Sequence, residues 1–506
     1  MRNRHKTLGV VLNILGALLL SLSIFLLLPI LVAVLYKEIQ NDLRIMYAFV
    51  VPAALSCTIS IILRAICRSD NPNNLQAMLS CSIGWLAFSA IGAIPFVIGI
   101  GASYVDGFFE AMSGFTTTGI TMFTGLDEMP RSILFWRSLT QWIGGLGILT
   151  FFLTVTYHGG GAHRLFGAES HKIGMERPVP SLANTLRILW GIYAGFTAII
   201  IIGLVLARMS LFDSICHSFT ALSTGGYSPH DSSIEYYKIN GFAHFRLIEY
   251  ILIVGMLMGG MNFLIHYRLF KRQPKALLDN TEMRYWWSLI AIFVASIFIE
   301  RFLKVDPPTS AAYANGFWGR IEESFRSVLF QVVSILTTTG FGTRDIGGPY
   351  FGQVARQLFL VMMVIGGCVG STGGGLKVLR FSILVKLIKR EVFRLRTSPR
   401  AISTIYIDGK NIEPNEVYRV GALFFTWIFL IVIGGFITAF LSELGAYESF
   451  SGMCSAIGNI GPCYISVSDM GQLNPAIKIV YIFGMLAGRL EILPVILIFS
   501  RRAWQS

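Results

Sequence analysis

Long apolar runs, separated by short polar segments, follow one another along the whole chain. Runs of about 18 residues or more are long enough to cross a bilayer as a helix. The pattern predicts ten such spans, at residues 8–35, 44–66, 76–99, 131–156, 185–208, 242–267, 285–303, 351–388, 418–443 and 475–500. The first run is too long for a signal peptide and counts as a span. The sequence therefore predicts an all-α polytopic membrane protein.

A hydroxyl-rich glycine turn recurs four times between these runs. The turns centre on Gly119, Gly226, Gly340 and Gly461, at intervals of 107, 114 and 121 residues. Hydroxyl side chains stand six residues before each glycine, at Ser113, Thr220, Ser334 and Ser455. Polar residues stand thirteen residues before it, at Asp106, Asp213, Ser327 and Glu448. The apolar segment between them predicts a helix of two to three turns, with the Asp, Ser or Glu near its positive end.

The order of span, short helix, glycine turn and span divides the chain into two N-terminal helices and four repeats. The predicted units are residues 1–70 (two extra N-terminal helices), 71–165, 166–275, 276–400 and 401–506. The predicted fold is two N-terminal helices followed by four membrane–pore-loop–membrane repeats around a single pore.

Composition and charge agree with this class. The chain has 506 residues, of which 54% are hydrophobic and only 14% charged. The net charge of +13 is concentrated in alternate loops, as expected for cytoplasmic loops, so nucleic acid is not an expected partner. Both termini are then cytoplasmic, and all four glycine turns lie on the outer side. The basic loop at residues 380–400 could bind anionic lipid, dock a soluble regulator or simply be solvated.

Four equivalent irregular turns at membrane depth have a restricted set of uses. Such backbone is tolerated where it is buried in protein or lines a water-filled path. Glycine allows carbonyl groups to point toward a common axis, and a ring of carbonyls can replace the hydration shell of a monovalent cation. A single Thr-Gly turn would be structural, but four in register favour a cation pore. The seven cysteines have no paired spacing, so neither a disulfide nor a zinc site is indicated.

A second glycine-rich segment interrupts the span at 351–388. Residues 366–375 contain six glycines, each costing a helix about 1 kcal/mol relative to alanine. This predicts a broken helix below the turns, although a small-residue packing face is the alternative. The candidate gate residues are Gly366, Gly367, Gly370, Ser371, Thr372, Gly373, Gly374, Gly375 and Arg489.

Arg489 lies deep in the last span, where a charge costs at least about 2.5–3.5 kcal/mol. We expect it to face the ion path beside the glycine-rich segment, or else to pair with a carboxylate on another span. Lys377, by contrast, is expected to extend toward the cytoplasmic face. Tyr227 and Phe341 follow two of the turn glycines and are predicted to be packing rings.

These motifs resemble the Trk/Ktr family of bacterial potassium uptake proteins, in particular its TrkH-type members, which carry two extra N-terminal helices. The matching strings are Thr117-Thr118-Gly119, Gly225-Gly226-Tyr227-Ser228-Pro229-His230-Asp231, Thr338-Thr339-Gly340-Phe341, Asn459-Ile460-Gly461-Pro462, residues 366–377, and Gly488-Arg489-Leu490-Glu491. The chain departs from the family pattern at Pro229 and Cys463, both just past a turn.

The resemblance implies potassium uptake across the bacterial plasma membrane through a filter, with K⁺ as the bound and transported ion and no covalent cofactor. It places the filter on Thr117, Thr118, Gly119, Thr224, Gly225, Gly226, Thr338, Thr339, Gly340, Asn459, Ile460 and Gly461. It also implies that residues 366–375 block the pore from below, that the protein is a homodimer, and that a TrkA-like cytosolic nucleotide-binding ring controls it.

Other classes fit the sequence less well. A membrane-embedded hydrolase needs a nucleophile with a His or Asp partner at membrane depth, which the sequence does not offer, so the chain is not expected to be an enzyme. Inverted-repeat transporters have halves of opposite orientation, whereas all four units here start from the same side. A scaffold that docks a soluble regulator would not need four glycine turns. His158, His163 and His171 share one loop, but their spacing fits no common metal site.

Overall fold

The computed structural model describes residues 2–67, 72–158, 182–305, 316–398 and 403–504. Apart from one hairpin and three single 3₁₀ turns, the regular structure in these segments is helical. The helices are α1 (Arg2–Leu35), α2 (Glu38–Asn41), α3 (Arg44–Ile66), α4 (Asn74–Gly92), α5 (Ile94–Ile100), α6 (Tyr104–Phe115), α7 (Arg131–His158), α8 (Leu182–Leu206), α9 (Leu211–Leu222), α10 (Glu235–Ile239), α11 (Phe245–Gly260), α12 (Phe263–Phe270), α13 (Thr281–Glu300, continued by a π-helical turn), α14 (Gly316–Leu336), α15 (Gln353–Ile365), α16 (Val378–Arg396), α17 (Pro414–Leu441), α18 (Ala446–Gly458), α19 (Val467–Gln472), α20 (Pro475–Arg489) and α21 (Leu493–Phe499). The hairpin pairs β1 (Ile405–Ile407) with β2 (Lys410–Ile412), antiparallel, with Ile405 opposite Ile412.

The N-terminal pair and the first helix of every repeat are long and apolar enough to cross a membrane. Six stretches of the described chain meet this criterion: Thr7–Leu35, Arg44–Ile66, Leu75–Ile100, Asn184–Leu206, Thr281–Leu303 and Pro414–Leu441. The prediction of an all-α polytopic membrane protein is therefore confirmed. Of the other four predicted spans, 131–156 is one helix, α7, and the remaining three are the returning segments of repeats 2, 3 and 4.

The returning segments of repeats 2, 3 and 4 are broken helices. The predicted continuous spans at 242–267 and 475–500 are wrong: α11 and α12 meet at an angle of 105°, and three residues separate the end of α20 from the start of α21. The interruption between α15 and α16 falls on the glycine-rich segment, as predicted. Each of the other two breaks contains a single polar residue, Asn262 or Glu491, among apolar neighbours, so the averaged hydropathy of the run does not reveal it. Such breaks are tolerated where the freed backbone groups find partners inside the protein.

Four helices, α6, α9, α14 and α18, each lead into a glycine turn, and we call them the ring helices. The hydroxyls of Ser103 and Ser210 accept hydrogen bonds from the backbone of Asp106 (3.2 Å) and Asp213 (3.0 Å) at the starts of α6 and α9. These serines are therefore the N-caps, and the aspartates lie in the first turn near the positive helix end.

The third ring helix differs from the prediction. α14 has 21 residues and begins at Gly316, so Ser327 lies in its interior and not near its start. The helix continues upstream because its inner face stays buried at Arg320 and Ser324. The prediction of a short helix for this repeat is wrong for that reason.

A buried ion pair connects α14 to the returning helix α11. Arg326 and Glu249 form a salt bridge with side chains that are 2% and 3% exposed. Arg326 also binds Glu322, one turn away, at 2.7 Å. Removal of one partner would leave the other charge buried without compensation.

We therefore predict that Arg326→Met lowers the free energy of unfolding by about 3–5 kcal/mol. Denaturant unfolding in detergent micelles measures this. The double variant Arg326→Met/Glu249→Leu should recover most of the loss, because it removes both charges. Arg246→Ala is the matched control, since its pair with Glu322 is 3.8 Å long and its side chain is 54% exposed. Equal losses for Arg326→Met and Arg246→Ala would contradict the assignment.

Candidate functional site

Each ring helix ends in the same backbone hydrogen bond. The amide before each turn glycine donates to the carbonyl five residues upstream, with lengths of 2.8, 2.8, 2.8 and 3.1 Å in chain order. The pairs are Thr118 to Ser113, Gly225 to Thr220, Thr339 to Ser334, and Ile460 to Ser455. This bond satisfies a carbonyl at the helix end. The acceptors are the four hydroxyl-bearing residues that recur in the sequence.

The turns share one backbone conformation as well. Two residues before the glycine, each turn has a non-glycine residue with positive φ: Thr117 (52°), Thr224 (54°), Thr338 (60°) and Asn459 (52°). The glycines follow with φ of 81°, 77°, 90° and 102°. Positive φ is uncommon outside glycine. Its recurrence at matching positions shows that the four repeats build one kind of turn.

The four turns close into a ring, which we call the glycine ring (residues 117–119, 224–226, 338–340 and 459–461). A Cβ atom on each glycine would meet a backbone carbonyl oxygen of another turn. The contacts are Gly119 to Gly225 (2.1 Å), Gly226 to Thr339 (2.0 Å), Gly340 to Ile460 (2.1 Å) and Gly461 to Thr118 (3.1 Å). They run from the first turn to the fourth and back to the first. Glycine is required at the first three because a Cβ closer than about 3 Å to an oxygen cannot be accommodated.

A cavity of about 410 Å³ lies on one side of the ring, and all four turn glycines line it. Carboxylates of Asp231, Glu235 and Asp345 also reach its wall. In this wall Arg344 is neutralised by ion pairs with Glu235 (2.7 Å) and Glu323 (3.1 Å). The cavity therefore offers a polar, partly acidic approach to the ring carbonyls.

Polar residues behind the ring escaped the sequence analysis. Gln141 of α7 donates to the Gly225 carbonyl (2.8 Å) and accepts from the Tyr227 amide (3.1 Å). Arg137, one turn earlier, pairs with the buried Glu110 at 2.9 Å and lies 4.2 Å from the centre of the Tyr227 ring. An arginine and a glutamine inside the predicted span 131–156 were the signal, because polar groups at membrane depth need partners.

The aromatic residues after two of the glycines are packing groups, as predicted. Phe341 is fully buried, and Tyr227 donates to the Glu110 carbonyl at 2.9 Å. Their own carbonyls accept hydrogen bonds from Ser334 (2.7 Å) and Thr220 (2.8 Å). The equivalent hydroxyls of the other two repeats have no such partner within the described chain. The hydroxyl six residues before the glycine thus bonds to the carbonyl after the glycine in repeats 2 and 3.

The non-helical stretch between α15 and α16, residues 366–377, lies against the ends of the ring helices; we call it the glycine loop. The Thr372 hydroxyl donates to the Leu222 carbonyl of α9 (2.9 Å), and the Gly374 amide donates to the Thr338 hydroxyl (2.7 Å). A Cβ atom on Gly374 would lie 2.5 Å from the Gly458 carbonyl of α18. The loop therefore contacts three of the four repeats at the side where their helices end. Its glycines allow this close approach.

Two buried cations bind carbonyls of the glycine loop. Arg489 donates to the carbonyls of Thr372 (2.6 Å) and Gly144 of α7 (3.0 Å). Among the described carboxylates none forms an ion pair with it, and the neighbouring Glu491 pairs with Arg380 at 2.5 Å. The Lys377 ammonium group binds the Gly373 carbonyl. The expectation that Lys377 extends to the membrane surface is wrong, because a buried loop carbonyl needs a donor.

The described segments do not meet the requirements of a metal site built from side chains. They contain no group of three or more His, Cys, Asp or Glu side chains that could hold a metal ion. The side chain of His158 and all of His163 and His171 lie outside the described residues.

Comparison with known proteins shows the family to which this chain belongs. The family model named TrkH, described as a cation transport protein, matches residues 69–506. The chain belongs to the TrkH family. The Trk system potassium uptake protein TrkH of Vibrio parahaemolyticus is 33% identical over 98% of this chain and 99% of its own length. Trk system potassium uptake protein TrkG of Escherichia coli is 33% identical over 83% of this chain and 84% of its own.

The same fold is known from a solved structure. The crystal structure of the potassium transporter TrkH from Vibrio parahaemolyticus matches with a TM-score of 0.84 at 30% identity, covering 98% of this chain and 99% of that one. The predicted fold, two N-terminal helices and four repeats around a single pore, is confirmed. The expectation that the chain is not an enzyme is also confirmed, because its TrkH relatives are transporters.

An ionisable bridge joins repeats 1 and 2 beside the cavity. His230 bonds to Asp127 (2.5 Å) and lies 3.5 Å from Asp213. Burial lowers the pKa of His230, but the hydrogen bonds and charges of Asp213 and Asp127 outweigh it and raise the pKa above the ordinary value. The stabilisation is thus complete below the ordinary pKa of about 6.5 and is lost as pH rises through the raised value.

We predict that the amides of residues 228–234 exchange hydrogen faster, after correction for intrinsic rates, once pH rises above the raised pKa of His230. The variant His230→Gln should remove this pH dependence. The exposed His244 supplies the control variant His244→Gln. Exchange independent of pH in the wild type would contradict the bridge.

Proposed function

We propose that this protein takes up potassium across the bacterial plasma membrane through a channel-like pore, with the glycine ring as its selectivity filter. The observation that carries the proposal is the cyclic closure of four equivalent turns, each glycine against a carbonyl of another repeat. The names of the TrkH and TrkG relatives, both potassium uptake proteins, support the choice of ion.

The filter acts by replacing water around the ion. Backbone carbonyls held at fixed positions substitute for the hydration shell of a monovalent cation. The proposed ion-binding residues are Thr117, Thr118, Gly119, Thr224, Gly225, Gly226, Thr338, Thr339, Gly340, Asn459, Ile460 and Gly461. The four ring helices direct their carboxyl ends to the region below the turns, and the partial negative charge there favours a cation.

The glycine loop is the proposed gate. It meets the ends of ring helices from three repeats, so an ion leaving the filter needs the loop to move. The gate residues are Gly366, Gly367, Gly370, Ser371, Thr372, Gly373, Gly374, Gly375 and Arg489. Arg489 holds the loop through the Thr372 carbonyl and adds a positive charge that opposes cations in the closed state.

Topology and assembly complete the proposal. Both termini are cytoplasmic, in keeping with the basic α16, and the repeats divide at residues 70, 165, 275 and 400. The protein acts as a homodimer under the control of a TrkA-like cytosolic nucleotide-binding ring, both on the strength of family membership. The basic residues of α16 face the cytoplasmic lipid surface, where anionic lipid is attracted to such segments.

The filter assignment predicts that Gly340→Ser lowers or abolishes the preference for potassium over sodium. A Cβ there would lie 2.1 Å from the Ile460 carbonyl, on a residue with φ of 90°. Rubidium-86 uptake into proteoliposomes, with sodium competition, measures the ratio. Gly342→Ser is the matched control, because the nearest atom to its Cβ is 3.7 Å away. An unchanged ratio in Gly340→Ser would remove the filter from this site.

The gate assignment predicts a different result for Arg489→Ala. The variant should raise rubidium flux in the absence of a regulator while leaving the potassium-to-sodium ratio unchanged, because the filter is intact. The exposed Arg419 provides a control variant, Arg419→Ala, with wild-type flux. Unchanged flux in Arg489→Ala would count against a gating role.

A further inference from the structure

The β1–β2 hairpin and the glycine loop contribute to the same hydrophobic cluster. The hairpin's inward side chains Ile405, Ile407 and Ile412 form this cluster with Val369 of the loop and with residues of α16 and α17. Val369 is completely buried in this cluster. The loop therefore inserts one side chain into a core that the hairpin helps to build.

A second, polar route joins the same hairpin to the same loop residue. Asp408, at the hairpin turn, accepts hydrogen bonds from the amide and the hydroxyl of Thr281, both 2.7 Å long. The next residue, Glu282, is buried and accepts a 2.7 Å hydrogen bond from the Val369 amide. Residues 281 and 282 form the first turn of α13, a membrane-spanning helix, and they connect Asp408 to Val369 through a rigid element.

The two residues that flank Val369, Cys368 and Gly370, bond to the break between α11 and α12. The Cys368 amide donates to the Gly260 carbonyl (3.0 Å), and the Phe263 amide donates to the Gly370 carbonyl (3.1 Å). Val369 thus sits between two backbone anchors, with the hairpin holding its side chain. Thr372, three residues on, already contacts α9 at the ring. A displacement of Val369 is therefore transmitted to the ring side of the loop within a few residues.

We propose that the β1–β2 hairpin is a latch that positions the glycine loop, with Glu282 and Asp408 as positioning residues and Val369 as the latched side chain. The inference rests on the proposed gating role of the loop. The outer face of the hairpin is free for contact, since Tyr406 is 57% exposed. When the hairpin moves away, the hydrophobic cluster around Val369 and the hydrogen bonds between Asp408 and Thr281 are lost together. Both losses make the glycine loop more mobile, and neither changes a contact of the glycine ring.

The test uses the full-length protein in proteoliposomes, with rubidium flux and the potassium-to-sodium ratio as readouts. Asp408→Ala, Glu282→Ala and Val369→Ala should each raise flux several-fold and leave the ratio unchanged. Asp408→Asn and Glu282→Gln retain the accepting oxygen, so they should stay near wild type. Asp279→Asn is the matched control: Asp279 precedes α13 and pairs with Arg268 at 2.6 Å, so it has no share in the latch.

Hydrogen exchange supplies a readout that does not depend on flux. In Asp408→Ala, the amides of residues 367–374 should exchange faster than in the wild type, while the amides that close the four ring helices stay protected. Combining Asp408→Ala with Val369→Ala should give less than the sum of the two effects, since both open one latch.

The outcomes separate the latch from the proposed function. Wild-type flux and wild-type exchange in Asp408→Ala and Val369→Ala would overturn the latch, and the filter and gate would stand if Gly340→Ser and Arg489→Ala behave as expected. If those two variants behave as wild type while Asp408→Ala still speeds exchange in the loop, the gate fails and the hairpin contact remains. Increased flux in Asp408→Asn as large as in Asp408→Ala would overturn the hydrogen-bond route.

Discussion

Backbone carbonyls without helical partners, held inside a membrane protein, are the constraint on which this structure depends. In an apolar interior each unpaired carbonyl or amide costs free energy, so irregular backbone persists only where something satisfies it. The glycine ring and the glycine loop are both such backbone. The ring has amide-to-carbonyl bonds that end the helices, and its remaining carbonyls can serve a desolvated cation. The glycine ring and the glycine loop, the proposed filter and gate, therefore meet the same requirement for hydrogen-bond partners in two different ways.

The buried cations and amides follow from the same constraint. Arg489 and Lys377 supply donors to carbonyls of the glycine loop, and Gln141 supplies one to the Gly225 carbonyl of the ring. Each lies in or beside a returning segment, and three of the four returning segments are broken. The long apolar helices supply fewer such groups; Glu282 at the start of α13, which accepts from the Val369 amide of the glycine loop, is one of them.

Sequence periodicity was sufficient for the ring but not for its support. The glycines and upstream hydroxyls could be predicted because the fourfold repeat places equivalent residues at equivalent positions. The breaks after Gly260 and Arg489 could not, because each adds only one polar residue, Asn262 or Glu491, to an apolar run, and tertiary hydrogen bonds decide the bend. The hairpin was missed because its strands are only three residues long. Lys377 was misplaced because its partner, the Gly373 carbonyl, becomes available only in the folded loop.

Ion position is the most direct test of the central claim that the ring carbonyls bind potassium. Crystals of the protein grown with thallium or rubidium would show anomalous scattering wherever the ion binds. We expect anomalous peaks on the ring axis, within coordinating distance of the carbonyl oxygens of the four turns. These peaks should weaken when potassium competes. Peaks confined to the acidic wall of the outer cavity, with none on the axis, would contradict the claim.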